Sequence, residues 1–145
     1  MSGRDLLLQR TLGVLYVLAG LAKFFPRIES VEDRLDEAAD ANDGIAVLGP
    51  LSARLADHPG AVAALVAVAM AASGAVLVAN RGRRLVVAAL WAQLALLGCF
   101  VAFLVTSVPQ ILLFDAAFFA AGVRLLRAHR ARRADRAPRT RRIRE

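Results

Sequence analysis

The sequence predicts an all-α fold: an integral membrane four-helix bundle with a partly helical outer loop and a basic cytoplasmic tail. The 145 residues are 58% hydrophobic, with a mean hydropathy of +0.53, whereas soluble domains contain about 45–50% apolar residues. The net charge is nevertheless +7 and the isoelectric point about 11.3. Apolar and basic residues are therefore segregated along the chain, in uncharged runs that match the roughly 20 residues of a bilayer-spanning helix.

The first span is predicted over about 6–25. Its uninterrupted apolar part, residues 11–22, also resembles the hydrophobic region of a secretory signal peptide. The following Lys23, Phe24 and Phe25 are bulky where a signal peptidase needs small residues. We therefore expect this segment to remain as a membrane span.

The outer loop, 26–59, is acidic and is predicted to be partly helical. Ile28, Val31 and Leu35 recur at helical spacing with acidic residues on the other faces, and an Asn-Asp-Gly sequence at 42–44 ends the pattern. A second short piece, with Leu51 and Leu55 one helical turn apart, follows at 50–56. We expect the amphipathic helix of this loop to lie on the outer membrane surface or to cap the bundle, and a ligand-specific role is the alternative.

Three further spans are predicted in the second half of the chain, at 60–80, 85–106 and 109–127. The stretch 85–123 contains Asp115 as its only charge, but it is too long for one span at 1.5 Å per residue. A turn at 106–109, with a proline suited to the first turn of the next helix, divides it. Residues 1–127 then form the membrane domain, and 128–145 an arginine-rich cytoplasmic tail.

Arginine residues indicate the orientation. Three clusters of them flank the first span, join the second span to the third and follow the fourth, and these three clusters fall on one side of the bundle, whereas the acidic segment 26–59 falls on the other. The positive-inside rule makes that side, with both termini, cytoplasmic, which predicts a multi-pass protein of the cell inner membrane. The tail would attract anionic lipid. We do not expect nucleic-acid binding, because no aromatic residue is interleaved with the arginines.

Polar residues inside the spans indicate where any function lies. Arg10, Gly13, Tyr16, Gly20 and Lys23 follow one another at spacings of three or four, which places them on one side of the first helix. Glycines at a contact face let a neighbouring helix approach closely. This face is therefore predicted to point into the bundle, with a basic residue at each end.

Asp115 lies about 9 Å below the outer turn, at 1.5 Å per residue, and the Lys23 side chain could cover the remaining difference in depth. We predict a Lys23–Asp115 ion pair under the outer surface. It is either a structural clasp between the first and last helices, or part of a site for a polar head group, a quinone or a proton pathway. Gln93 is predicted to form an interhelical hydrogen bond.

The sequence gives little support for a dithiol, a metal site or a known catalytic motif. Cys99 is the only cysteine and lies in an apolar span, which excludes a dithiol and favours a packing role. His58 and His129 fall on opposite sides of the predicted membrane, so no metal site is expected. The chain has no phosphate loop and no GxSxG or HExxH motif. No catalytic residue is assigned, and catalytic activity of the chain on its own is not expected.

The first span resembles the opening helix of the DoxX-like family of small four-span bacterial membrane proteins. The resemblance rests on Arg10 and Gly13, on the Gly-Leu-Ala-Lys-Phe sequence at 20–24, and on a Leu-Phe-Asp sequence at 113–115. It extends over roughly residues 4–127. The acidic outer loop is longer than that family leads one to expect, and the arginine tail departs from it.

This resemblance implies a small inner-membrane protein, and makes Arg10, Lys23 and Asp115 its functional or signature residues. Several DoxX-like proteins are linked to oxidoreductase complexes, which implies a non-catalytic subunit or scaffold associated with a membrane or peripheral oxidoreductase. The alternative is a protein that binds a quinone or a lipid-like molecule between the outer halves of the first and fourth helices. None of the signature residues is a redox centre, so any electron transfer would use a bound quinone or a partner.

Overall fold

A computed structural model describes residues 3–25, 30–79, 82–104 and 111–136. Within these residues the chain forms six helices and no strand, which confirms the all-α class. The helices are α1 (Gly3–Ala22), α2 (Val31–Ala41), α3 (Leu48–Ala56), α4 (Pro59–Ala79), α5 (Arg83–Leu104) and α6 (Ile111–Arg136). Of these, α1, α4 and α5 are long and apolar enough to cross a membrane.

The long helices coincide with the predicted spans, with differences at their ends. α1 ends at Ala22 rather than at 25, and the next three residues form turns whose N–H groups donate to carbonyls three residues earlier. The proline at 26 explains this end, because a residue before proline is disfavoured in helical conformation. α6 continues to Arg136, past the predicted limit at 127. The predicted turn at 106–109 and residues 137–145 of the tail lie outside the described residues.

Among the described helices, α1 and α4 are joined by a very close backbone contact. The two helices cross where Gly13 faces Gly74, and a Cβ atom placed on Gly74 would lie only 2.5 Å from the carbonyl oxygen of Gly13. A Cβ on Gly20 would come within 2.8 Å of the carbonyl oxygen of Ala67. Only glycine permits backbones to approach this closely, as in other small-residue contacts between membrane helices.

One apolar core joins α1, α4, α5 and α6. Its buried side chains include Leu12, Tyr16, Met70, Leu77, Leu90 and Leu125. The outward faces are apolar as well: Leu65 is 72% exposed and Leu113 is 78% exposed. Large exposed apolar surface is unfavourable in water and expected in lipid.

α2 and α3 together form a structure that we call the cap. The predicted amphipathic helix is present as α2, whose first turn is stabilised by the Ser30 hydroxyl, which accepts from the N–H of Asp33 at 3.1 Å. The cap is tied to α5 by the fully buried Asn42, whose Nδ2 donates to the Ser52 hydroxyl at 3.1 Å and to the Phe103 carbonyl at 3.2 Å. The cap therefore covers the end of the fold at which α1 and α5 finish, here called the capped end.

Candidate functional site

A cavity of about 480 Å³ lies beneath the cap, and all six helices contribute to its wall. The contributing parts are the second halves of α1 and α5 and the first halves of α4 and α6, so the cavity is confined to the capped end. Its volume falls within the usual range of ligand sites, about 300–1,000 Å³. The wall is mainly aliphatic and aromatic, with Leu15, Val66, Met70, Leu97, Phe100 and Phe103 among its members.

Five polar side chains interrupt this apolar wall: Tyr16, Lys23, Arg34, Ser52 and Asp115. The Lys23 ammonium lies 6.0 Å from the centroid of the Phe100 ring, a cation–π arrangement. The carboxylate of Asp115 interacts electrostatically with Lys23 and with the Tyr16 phenol. A positive, a negative and a phenolic group thus converge on one cavity.

Aromatic packing holds Tyr16 in place. Its side chain is 3% exposed, and its ring meets that of Phe118 edge to face, with centroids 5.4 Å apart. Such pairs contribute about 0.5–1.5 kcal/mol beyond the burial of their surface. Arg34 enters the wall from the cap and forms an ion pair of 3.0 Å with Glu37.

The structure brings several predicted site residues together. Lys23, Asp115 and Tyr16 line the same cavity, whereas Gly13 and Gly20 lie behind Tyr16 against α4. The predicted ion pair between Lys23 and Asp115 stays a prediction. Gln93 is buried but does not line the cavity, and neither atom of its amide has a hydrogen-bond partner among the described residues, in contrast with the interhelical hydrogen bond expected of it.

Arg10 differs from the prediction, because it is exposed and the neighbouring Gln9 takes the interior position. The physical reason is helix geometry. Each step of three residues falls short of a full turn by about 60°, so two such steps leave Arg10 about 120° away from Tyr16. Arg10 is therefore not an interior residue of α1.

A second polar cluster, here called the junction, lies at the end of the fold opposite the cap. The buried Gln9 amide donates to the Leu77 carbonyl at 2.9 Å, and its oxygen lies 3.3 Å from Nε2 of His129, which is also buried. Arg83 donates to the carbonyl of His129. One glutamine thus connects α1 to α4 and α6.

Burial lowers the pKa of His129, and the nearby Arg83 lowers it further, while Asp5 acts in the opposite direction. The neutral imidazole is also the form that can donate through Nε2 to Gln9 without a buried charge. Since the unfolded chain then binds a proton at His129 more readily than the folded protein, the contribution of this residue to stability falls as the pH is lowered from about 6.5.

We expect His129→Gln to remove this acid sensitivity, because an amide can bond Gln9 at any pH. The measurement is the midpoint of thermal unfolding in detergent between about pH 7.5 and 5. The matched control is His58→Gln, at an exposed histidine, which should keep the acid sensitivity of the wild type. Equal acid sensitivity in the wild type and the His129 variant would contradict the prediction.

The sequence patterns did not indicate two parts of this arrangement. The cap residues Arg34, Leu35 and Leu55 belong to the cavity wall, although their periodicity showed only that one helix face is covered. The junction was missed because Gln9 and His129 are 120 positions apart. The sequence feature that could have indicated the junction is Gln9, a glutamine that directly follows three leucines.

Comparisons with known proteins add two findings. A family described as "Family of unknown function (DUF6041)" matches residues 6–144. A protein named Oxidoreductase PigB, from Serratia sp. (strain ATCC 39006), is 38% identical over 122 residues, which are 84% of this chain and 18% of that protein. The chain thus spans less than one-fifth of the length of this relative. No solved structure matches the chain.

Proposed function

The chain belongs to DUF6041, a family of unknown function, and on that premise we propose that it is a small membrane protein that binds an apolar molecule for an oxidoreductase. The cavity beneath the cap is the single observation that carries the proposal. A pocket that packed helices leave open, with an apolar wall and a few convergent polar groups, has the characteristics of a small-molecule site.

The polar groups indicate how the molecule would be held. Lys23 and Asp115 offer a cationic donor and an anionic acceptor, and the Tyr16 phenol can do either. A quinone or another lipid-like molecule with a polar head group fits this arrangement, with its head beside Lys23 and Asp115 and its body along the apolar wall. Lys23 and Asp115 are then binding residues rather than a purely structural clasp.

An association with an oxidoreductase is supported by the relative. In Oxidoreductase PigB, 122 residues resemble this chain and more than four-fifths of the protein lies outside the resemblance. We propose for this chain the role of a non-catalytic subunit of such a system. Its resemblance to DoxX-like proteins, several of which accompany oxidoreductases, is in keeping with this role.

The placement proposed for the chain is a four-helix bundle in the inner membrane, in which α6 provides the fourth span. The arginines at the start of α5 and those in the second half of α6 lie at the end opposite the cap, while the acidic α2 belongs to the cap. The positive-inside rule then puts the cap outside and both termini in the cytoplasm.

The test is the molecule that the full chain retains when it is purified alone in mild detergent. Val62 lies in the cavity wall on α4, so the larger side chain of Val62→Phe fills part of the cavity. Val68→Phe, on the same helix but at a position that is 61% exposed, is the control. We expect organic extracts of the wild type and the Val68 variant to contain a quinone or lipid-like species in stoichiometric amount, and the Val62 variant to lose it. Identical extracts from all three would show that only surrounding lipid was carried along.

A co-purification experiment tests the partner separately. An oxidoreductase subunit that elutes with the wild-type chain, and equally with the Val62 variant, would support a subunit role independent of the bound molecule. A chain that retains the molecule and elutes with no partner would contradict the subunit role and leave the binding role in place.

A further inference from the structure

Gln93 is a buried polar side chain for which neither the fold nor the proposed head-group site accounts. It lies in the middle of α5, is 3% exposed, and both atoms of its amide lack a hydrogen-bond partner among the described residues. Leaving such a group unsatisfied is costly in any apolar interior, and more so where the surroundings are lipid. A residue retained at this cost is expected to meet a partner in another state of the protein.

Its position indicates where that partner would come from. On α5, Gln93 shares a face with Leu97 and Phe100, which stand about 40° and 20° from it around the helix axis. Both of these residues line the cavity, as does Leu96. Gln93 therefore lies one helical turn below the floor of the cavity and on the side of α5 that faces it.

We propose that the molecule bound in the cavity carries a second, uncharged polar group that hydrogen-bonds Gln93. The inference rests on the proposed function and specifies its ligand. Lys23 lies beside Phe100, seven residues from Gln93, so the two polar positions are about 10 Å apart along α5. The ligand class is an elongated apolar molecule with a hydrogen-bonding group at each end.

The chemistry of the inner group follows from the amide. Gln93 presents a donor and an acceptor and no charge, so it complements a hydroxyl, which also donates and accepts. A charged group at this depth would be strongly disfavoured. To seat the hydroxyl, a leucine side chain at the cavity floor changes rotamer, a small rearrangement for an aliphatic side chain in contact with open volume.

Two probes test the proposal: octanediol with a hydroxyl at each end, whose length matches this separation, and octanol with a single hydroxyl. The reporter is Cys99, which is the only cysteine, lines the cavity and is exposed at the surface of α5, so a small maleimide that enters the lipid can label it at mildly alkaline pH. In nanodiscs of the full chain, either probe should slow the labelling. At equal concentrations in the lipid, we expect the diol to protect about tenfold better than the alcohol.

The variant Gln93→Met keeps the length of the side chain and removes its hydrogen bonding. In this variant both probes should protect Cys99 equally. The variant should also unfold at a higher temperature without ligand, because the unsatisfied amide has been removed. Leu90→Met, at a fully buried position one turn farther from the cavity, is the control and should retain the preference for the diol.

The outcomes separate the two proposals. Equal protection of the wild type by diol and alcohol would overturn the role of Gln93 and leave the binding function intact. No protection by either probe, together with extracts that do not change in Val62→Phe, would overturn the binding function itself. A Gln93 variant that keeps the tenfold preference would also refute the contact, since the preference would then arise elsewhere in the cavity.

Discussion

Gly74→Ala is expected to separate α1 from α4 and to leave little folded protein in detergent. The added Cβ would lie 2.5 Å from the carbonyl oxygen of Gly13 and 2.9 Å from the backbone nitrogen of Val17. Both atoms belong to a helix backbone, so no side-chain rotation can relieve the overlap. Overpacking typically costs about 1–3 kcal/mol, and the upper part of that range is expected here because two helices must move.

The measurement is thermal unfolding of the purified variant, followed by circular dichroism. Gly98→Ala is the matched control, since this glycine also lies within a long helix and a Cβ there would meet nothing within 4 Å. It should unfold at or slightly above the wild-type temperature, because alanine favours helix by up to about 1 kcal/mol relative to glycine. Equal behaviour of the two variants would show that the close α1–α4 contact does not limit stability.

Hydropathy and residue spacing were sufficient to predict the long helices. An uncharged run of about 20 residues has few alternatives to a helix, because a lipid core demands internal backbone hydrogen bonds. The glycines of α1 could be recognised as a contact face from their spacing alone. Which helix they meet depends on Gly74 of α4, and one glycine within a run of small residues gives no comparable signal.

The sequence indicated only part of the candidate site. Lys23 and Asp115 attract attention because they are charged within apolar segments. Arg34 and Leu35 sit in an ordinary amphipathic helix, whose pattern reveals a covered face but not a cavity beneath it. The cavity is a space that the packed helices leave unfilled, and no local sequence pattern predicts such a space.

The two ends of the fold differ in how they treat polar groups. At the junction, Gln9 is bonded to α4 and lies next to His129 on α6, which keeps the helices close together. At the capped end, the polar groups of Lys23 and Asp115 face open volume. Close packing at one end and open volume at the other confine a ligand to the half of the bundle that carries the charges.

Reversing the charge of Asp115 alone, as Asp115→Lys, is expected to cost both stability and ligand. Two ammonium groups would then face one cavity whose apolar walls screen them poorly, and we expect a loss of about 2 kcal/mol, below the 3–5 kcal/mol of a fully buried pair because both groups are half-buried. Thermal unfolding measures the first effect. The amount of the retained species in organic extracts measures the second.

The double variant Lys23→Asp with Asp115→Lys separates a clasp from a binding site. Opposite charges face each other again, so stability should return. Ligand retention should not return, because the head group would face a carboxylate at the position where the wild type has an ammonium. The same exchange at Asp5 and Arg124, 3.7 Å apart at the end opposite the cap, should leave ligand retention unchanged. If the double variant regained both stability and ligand, the two charges would serve only to hold the first and last helices together, and recognition would rest on the Tyr16 phenol and the apolar wall.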